Sequence, residues 1–126
     1  MEKIALIAAG GAAGAVLRYL SVGWMGRLSG EIAFGTMFVN VAGSFLMGVL
    51  AVLMIDRMPG EVHRLAPLVM TGLLGGFTTF SAYSLDALRL FEDGRTAAAL
   101  GYAGGSVLLS VGALALGLVL TRTVLG

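Results

Sequence analysis

The sequence is poor in the residues on which most soluble chemistry depends. It has no cysteine, which excludes disulfides and thiol chemistry. Its single histidine, His63, has no second histidine or cysteine with which to complete a metal site. No nucleophile–base pair or metal-ligand cluster is present, so an enzyme is the function class that the sequence supports least. Charged residues make up 12% of the chain and the net charge is +1, which argues against a nucleic-acid partner.

Apolar residues are abundant instead. They make up 58% of the 126 residues, and the mean hydropathy is +0.96. A soluble domain of this size could not bury so much apolar surface. A membrane-spanning helix needs about 20 mostly apolar residues, and four stretches reach that length, approximately 4–24, 32–55, 65–90 and 96–123. The sequence therefore predicts an all-α integral membrane protein with four transmembrane helices in a single domain, residues 1–126.

The first stretch has a second interpretation. Residues 1–20 combine Lys3, an apolar run and small residues, which is also the pattern of a signal peptide. The three later stretches are equally apolar, however. We therefore interpret the first stretch as a transmembrane helix as well.

The positive charges are balanced between the two ends of the predicted helices. Orientation is normally set by an excess of lysine and arginine in the short cytoplasmic loops. Four crossings give four cations on each side, so no excess exists. A single, weakly biased orientation and a dual topology, in which copies insert both ways and pair antiparallel, both remain open. One side has Lys3, Arg57, Arg64 and Arg122, and the other has Arg18, Arg27, Arg89 and Arg95.

Twenty glycines are many for this length, and pairs of small residues four apart recur within the apolar stretches. Such spacing lets membrane helices approach closely, so it predicts helix packing and oligomerisation without naming a function. The pairs are Gly10–Gly14, Ser44–Gly48, Gly72–Gly76 and Gly101–Gly105.

The centre of the third stretch differs from the other three. Residues 72–81 contain three glycines and three hydroxyl residues. Each glycine lowers helix stability by about 1 kcal/mol relative to alanine. A break frees backbone groups that lipid cannot satisfy, so it survives only where it is buried or coordinates something, as in transporters. An unbroken helix with a tight glycine contact is the alternative; we favour a break near the membrane midplane.

Polar groups inside the stretches are mostly hydrogen-bond donors. Each has a structural explanation by itself, since serine can bond to its own helix and arginine can extend to the interface. Together they suit a small anion, because aromatic rings also present positive edges. No carboxylate occupies the middle of a helix, as a proton-coupled cation exporter would need. We therefore predict anion conduction. The donors are Asn40, the stripe Tyr102, Ser106 and Ser110, the cation Arg18, and the rings of Phe80 and Tyr83.

Three segments, residues 10–19, 35–45 and 72–81, resemble the three signature segments of the Fluc fluoride channels, also called CrcB. The similarity extends over the whole chain in length, helix count and motif order. The resemblance implies a passive, fluoride-selective channel that exports cytoplasmic fluoride. It also implies a dual-topology, antiparallel homodimer with two pores in the bilayer of a bacterial inner membrane, where the protein would be multi-pass.

The resemblance also assigns residues. In the family, the broken third helices cross at the dimer centre and hold a structural sodium ion; the corresponding ligands here would be the backbone carbonyls of Gly75 and Thr78. Arg18 would lie in the vestibule and draw anions inward. The fluoride pore would be lined by Asn40, Thr79, Phe80, Tyr83, Tyr102, Ser106 and Ser110.

Three positions depart from the usual family pattern. Residues 80–83 read Phe-Ser-Ala-Tyr where the family most often has Phe-Ser-Thr-Phe, so Ala82 lacks a hydroxyl and Tyr83 adds one. Asp86 replaces the usual glutamate, and we assign it to the vestibule or the interface. Two alternatives stay open: a small dual-topology multidrug exporter, against which the missing carboxylate in the first helix counts, and a non-conducting membrane subunit.

Overall fold

A computed structural model describes residues 1–57, 60 and 63–126, and its secondary structure is helical. The third apolar stretch is built from several short elements, whereas the first and last are single long helices. The elements are α1 (Glu2–Ser29), α2 (Ile32–Leu50) and its π-helical continuation (Ala51–Arg57), a 3₁₀ turn (His63–Leu65), a π-helical segment (Pro67–Leu74), α3 (Gly75–Phe77), α4 (Phe80–Glu92) and α5 (Thr96–Leu125).

Four helical stretches are long and apolar enough to cross a membrane. They run over Glu2–Ser29, Ile32–Met54, His63–Glu92 and Thr96–Leu125. Large apolar side chains cover the outside of the bundle, as expected of a surface that contacts lipid. The predicted all-helical architecture with four spanning helices is confirmed.

Paired glycines bring α1 against the first half of the third stretch, residues 67–77. A Cβ atom at Gly10 would lie 2.8 Å from the backbone nitrogen of Leu73, and one at Gly76 would lie 2.6 Å from the carbonyl oxygen of Gly11. No real side chain tolerates such distances. The glycine spacing therefore serves close backbone contact here.

The same packing joins α2 to α5, where Gly48 and Gly117 face each other's backbones. Built Cβ atoms would lie 3.0 Å from the nitrogen of Leu118 and 3.1 Å from that of Val49. The Gly101–Gly105 pair differs, because a Cβ at either position would meet no atom of another described segment within 4 Å. That pair does not serve packing within the chain.

The third stretch is interrupted between α3 and α4, where the sequence predicts a break. Thr78 and Thr79 both have extended backbones, with φ/ψ of −92°/158° and −153°/125°. Helical hydrogen bonding ends with the Thr78 amide, which donates to the carbonyl of Leu74 at 3.0 Å. It resumes in α4, and two residues of non-helical backbone therefore lie inside the bundle.

Candidate functional site

The side chain of Asn40, on α2, forms hydrogen bonds with backbone groups at the break in the third stretch. Its Nδ2 donates to the carbonyl of Thr79 at 2.9 Å, and its Oδ1 accepts from the Thr79 amide at 2.7 Å. Because a backbone N–H only donates, this pair of bonds also fixes which end of the side-chain amide is oxygen. One N–H of Asn40 is left uncommitted by this pair.

The hydroxyl of Thr79 caps the second half of the broken stretch. It accepts from the amide of Ala82 at 3.2 Å and lies 3.2 Å from the hydroxyl of Ser81. A threonine that accepts a hydrogen bond at the N-cap satisfies an amide left without a partner in the first turn. All three polar groups of Thr79 are therefore engaged, and α4 starts at a defined point.

The break also bears on the proposed sodium ligands. In a continuous helix the Thr79 amide would donate to the carbonyl of Gly75, but here it donates to Asn40. Two carbonyls at a helix break, those of Gly75 and Thr78, form a donor set suited to a hard cation. Among the described residues no group of three histidine, cysteine or acidic side chains is placed to hold a metal. The groups at the break that could contact a cation are therefore backbone carbonyls, and the sodium site stays a prediction.

A cavity of about 350 Å³ lies beside the break. Its polar lining consists of amide and hydroxyl groups, and the remaining lining is apolar. We call it the inner cavity. It is lined by Asn40, Gly43, Ser44, Met47, Thr78, Thr79, Phe80, Tyr83, Ser106, Val107, Ser110, Val111 and Leu114.

Three aromatic rings form a row of neighbouring pairs that begins at Phe80, directly after the break. Phe80 and Tyr83 have ring centroids 5.4 Å apart, and Tyr83 and Tyr102 are 5.6 Å apart, both pairs tilted. Phe80 is 77% exposed in the single chain. The hydroxyl of Tyr83 donates to the carbonyl of Ala103 at 2.8 Å, so it holds α4 to α5.

The predicted hydroxyl stripe on α5 is divided between two environments. Ser106 and Ser110 line the inner cavity. Ser106 is only 3% exposed, and its hydroxyl has no hydrogen-bond partner in the described part of the chain. Tyr102 is buried one turn away and donates to Asp86 at 3.4 Å, a long hydrogen bond.

A second cavity, of about 860 Å³, shares Thr79 with the inner cavity and contains charged residues. We call it the vestibule. Arg18, Arg27 and Arg89 line it, and Asp86 is the only carboxylate among its described lining residues. The Nε atom of Arg18 is buried and has no hydrogen-bond partner among the residues that the structure describes. Thr79 lines both cavities and therefore lies between them.

Several contributors to this site were not found by sequence reasoning. Arg27 and Arg89 were counted only as charges near helix ends, although both line the vestibule. The spacing of Arg89, three residues after Asp86, places them on one helix face and could have indicated it. Gly43 lies against the side chains of Thr78 and Phe77. It follows Asn40 by three residues, so the two share one face of α2, and this spacing could have indicated that Gly43 also faces the break.

Comparisons with known proteins identify relatives over nearly the whole chain. The family model for "CrcB-like protein, Camphor Resistance (CrcB)" matches residues 5–118. A protein of Rhizobium meliloti (strain 1021) named fluoride-specific ion channel FluC is 49% identical over 123 residues, which cover 97% of this chain and 98% of the relative. Proteins of the same name are 50% identical in Cereibacter sphaeroides (strain ATCC 17029 / ATH 2.4.9) over 97% of this chain and 96% of theirs, and 49% identical in Paracoccus denitrificans (strain Pd 1222) over 92% and 91%.

Proposed function

The chain belongs to the CrcB family, and from this premise we propose that it is a passive, fluoride-selective channel that exports cytoplasmic fluoride. The relatives are named as ion channels, which agrees with the expectation that the chain is not an enzyme. It is a multi-pass membrane protein with four spanning helices. The location that we propose is a bacterial inner membrane.

The observation that carries this proposal is the chemistry of the inner cavity. Its polar lining consists of the amide of Asn40 and hydroxyl groups, with no charged side chain among the described lining residues. Since the oxygen of Asn40 is occupied by the Thr79 amide, the group that remains to interact with an ion is a donor. Neutral donors replace the hydration shell of an anion and still release it, as conduction requires.

Phe80, Ser106 and Ser110 complete this set of donors. A ring edge carries partial positive charge, and Phe80 and both serines line the cavity together with Asn40. The unpartnered hydroxyl of Ser106 is a buried donor that would otherwise cost free energy without compensation. We assign fluoride contact to these four residues, and to Thr79 and Tyr83 a role in shaping the cavity. Tyr102 lies beside the cavity.

The vestibule supplies attraction at longer range. Three arginines against one carboxylate make it positive, and a cleft lined by one sign of charge raises the local concentration of the opposite ion. Arg18 is the vestibule residue that the family resemblance assigns, and Arg27 and Arg89 extend the field. Fluoride would collect there and then pass Thr79 into the inner cavity.

Export follows from the chemistry of hydrogen fluoride. The neutral acid crosses membranes at low external pH and ionises in the more neutral cytoplasm, where the anion is trapped. A negative interior then favours exit, because one charge moved through 100 mV is worth about 2.3 kcal/mol. A selective pore needs no other energy source.

We further propose that the channel works as an antiparallel homodimer with two pores. The balanced cations at the two ends, the exposed ring of Phe80 and the open Gly101–Gly105 face support this assembly. An isologous contact supplies every ligand twice, so the carbonyls of Gly75 and Thr78 would give a sodium ion four oxygens. Bound sodium would neutralise the partial negative charge of carbonyls that lack helical partners.

Anion efflux from liposomes that contain only the purified protein tests the function. Fluoride and chloride are compared under a potassium–valinomycin voltage. Rapid fluoride release with chloride retained is the expected result. Release of neither ion by folded protein would contradict the channel and favour a non-conducting subunit, whereas a proton-driven efflux of organic cations would favour a multidrug exporter.

A substitution sharpens the same assay. Asn40→Asp places an acceptor-only negative group in the cavity and should abolish fluoride flux. Ser84→Ala is the matched control, because the Ser84 hydroxyl is exposed and donates to its own helix at the carbonyl of Phe80. Undiminished flux in Asn40→Asp would show that Asn40 is not a pore residue.

A further inference from the structure

We infer that Asn40 is also a positioning residue for the cation site, because its side chain releases the carbonyl of Gly75 from helical hydrogen bonding. This inference rests on the proposed sodium site. The pore and the cation site would then share one side chain. Fluoride contact by Asn40 and cation binding by Gly75 would be coupled through the backbone of Thr79.

The hydrogen-bond sequence at the break supports this role. The Thr78 amide still makes the helical bond, to the carbonyl of Leu74 at 3.0 Å. The next bond of a continuous helix would join the Thr79 amide to the carbonyl of Gly75. The Thr79 amide donates instead to Oδ1 of Asn40 at 2.7 Å. The helix therefore ends one hydrogen bond before the carbonyl that is proposed to bind sodium.

Asn40 makes two hydrogen bonds to Thr79, one as donor and one as acceptor. Only a side chain with both a donor and an acceptor, such as an amide, can make both. An acceptor alone holds the Thr79 amide, but Nδ2 also donates to the Thr79 carbonyl at 2.9 Å. The two bonds fix the rotation of the Thr79 peptide groups relative to α2. Gly43, one turn further along α2, leaves the space that the side chain of Thr78 occupies. α2 therefore positions both threonines of the break.

Removal of Asn40 would return the Thr79 amide to the carbonyl of Gly75. With an apolar side chain at position 40, the amide has no partner on α2, and a buried amide without a partner is costly. The carbonyl four residues earlier is the nearest helical acceptor. The helix would extend by one bond, and a cation ligand would be lost.

The test measures sodium-specific thermal stabilisation of the full-length protein in detergent. Melting temperatures are recorded over a sodium series at constant ionic strength, with potassium as the replacement. In Asn40→Leu the sodium concentration for half-maximal stabilisation should rise by about tenfold or more, as is typical when a group that positions a metal ligand is removed. Asn40→Asp keeps the acceptor for the Thr79 amide but places a carboxylate oxygen against the Thr79 carbonyl, so its half-maximal sodium concentration should lie between those of the wild type and of Asn40→Leu. Phe80→Ile, a pore variant without contact to this amide, should keep the wild-type sodium dependence.

The outcomes separate this inference from the function on which it rests. If the wild-type protein shows no sodium-specific stabilisation, the sodium proposal is wrong and the coupling falls with it. If the wild type responds and Asn40→Leu responds equally, the coupling is wrong and the sodium site stands. An Asp variant that binds sodium as tightly as the wild type would overturn the contribution of the Asn40 donor to the Thr79 carbonyl. Asn40→Ser, which is too short to bridge both groups of Thr79, gives the same test if the Leu variant does not fold.

Discussion

The vestibule and the inner cavity meet at Thr79 but differ in charge. The vestibule has three arginines and one carboxylate, whereas the inner cavity is lined by amide, hydroxyl, aromatic and aliphatic groups. Fixed charge attracts an ion from a distance and would also retain it. Neutral donors replace hydration over a short range and let the ion leave. Under the proposed function, different residues would therefore collect fluoride and let it pass.

After the loss of flux expected for Asn40→Asp, the largest expected effect comes from the aromatic ring in the inner cavity. Phe80→Ile keeps the bulk but loses the ring edge, so fluoride flux in liposomes should fall by about tenfold or more. Phe91→Ile is the control on the same helix, since Phe91 is also exposed but lines neither cavity. Normal conduction by Phe80→Ile would show that the ring edge is not a ligand.

A smaller effect is expected from the serines, with opposite signs for flux and stability. Ser106→Ala removes a buried hydroxyl that has no partner among the described residues, so the free energy of unfolding should be unchanged or should rise by about 1 kcal/mol. Fluoride flux should nevertheless fall several-fold, to about a fifth of the wild-type value, because a donor is lost. Unfolding and efflux measured on the same preparation check both signs. A fall in both the fluoride flux and the free energy of unfolding would mean that the Ser106 hydroxyl has a structural role.

The vestibule should respond to salt, whereas the inner cavity should not. Arg18→Gln should lower flux by about threefold at low ionic strength, and the difference should disappear near 1 M salt, where the Debye length is only about 3 Å. Lys3→Gln removes the same unit charge at the other end of α1 and serves as the control. A reduction independent of salt would contradict a role in collection and point to direct ion contact.

The smallest effect is expected at Tyr83. Its hydroxyl donates to the carbonyl of Ala103 and is not available as a pore donor. Tyr83→Phe keeps the ring, so fluoride flux should change by less than about twofold, while stability should fall by about 1 kcal/mol through the lost bond. Ser81→Ala nearby provides a comparison at an exposed hydroxyl. A large loss of flux in Tyr83→Phe would show that the Tyr83 hydroxyl does act as a pore donor.

Much of the architecture could be predicted because its causes are local in the sequence. Apolar length decides whether a helix can span, and glycine content with threonines at positions 78 and 79 decides where the third stretch can break. The presence of neutral hydrogen-bond donors inside the helices could also be predicted, since it depends only on residue types. The assignments of pore and cation ligands remain predictions for the experiments above.

Which polar groups come into contact depends on how the helices pack against one another. Asn40 and Thr79 are 39 residues apart, and Tyr83 donates to a carbonyl 20 residues away. The regular spacing of Tyr102, Ser106 and Ser110 predicts one stripe, yet only the two serines face the inner cavity. The four helices, the favoured site of the break and the types of donor could be predicted from residue order, because these follow from composition and local propensity. Contacts between helices depend on the rotation of each helix about its axis, and only packing in three dimensions sets that rotation.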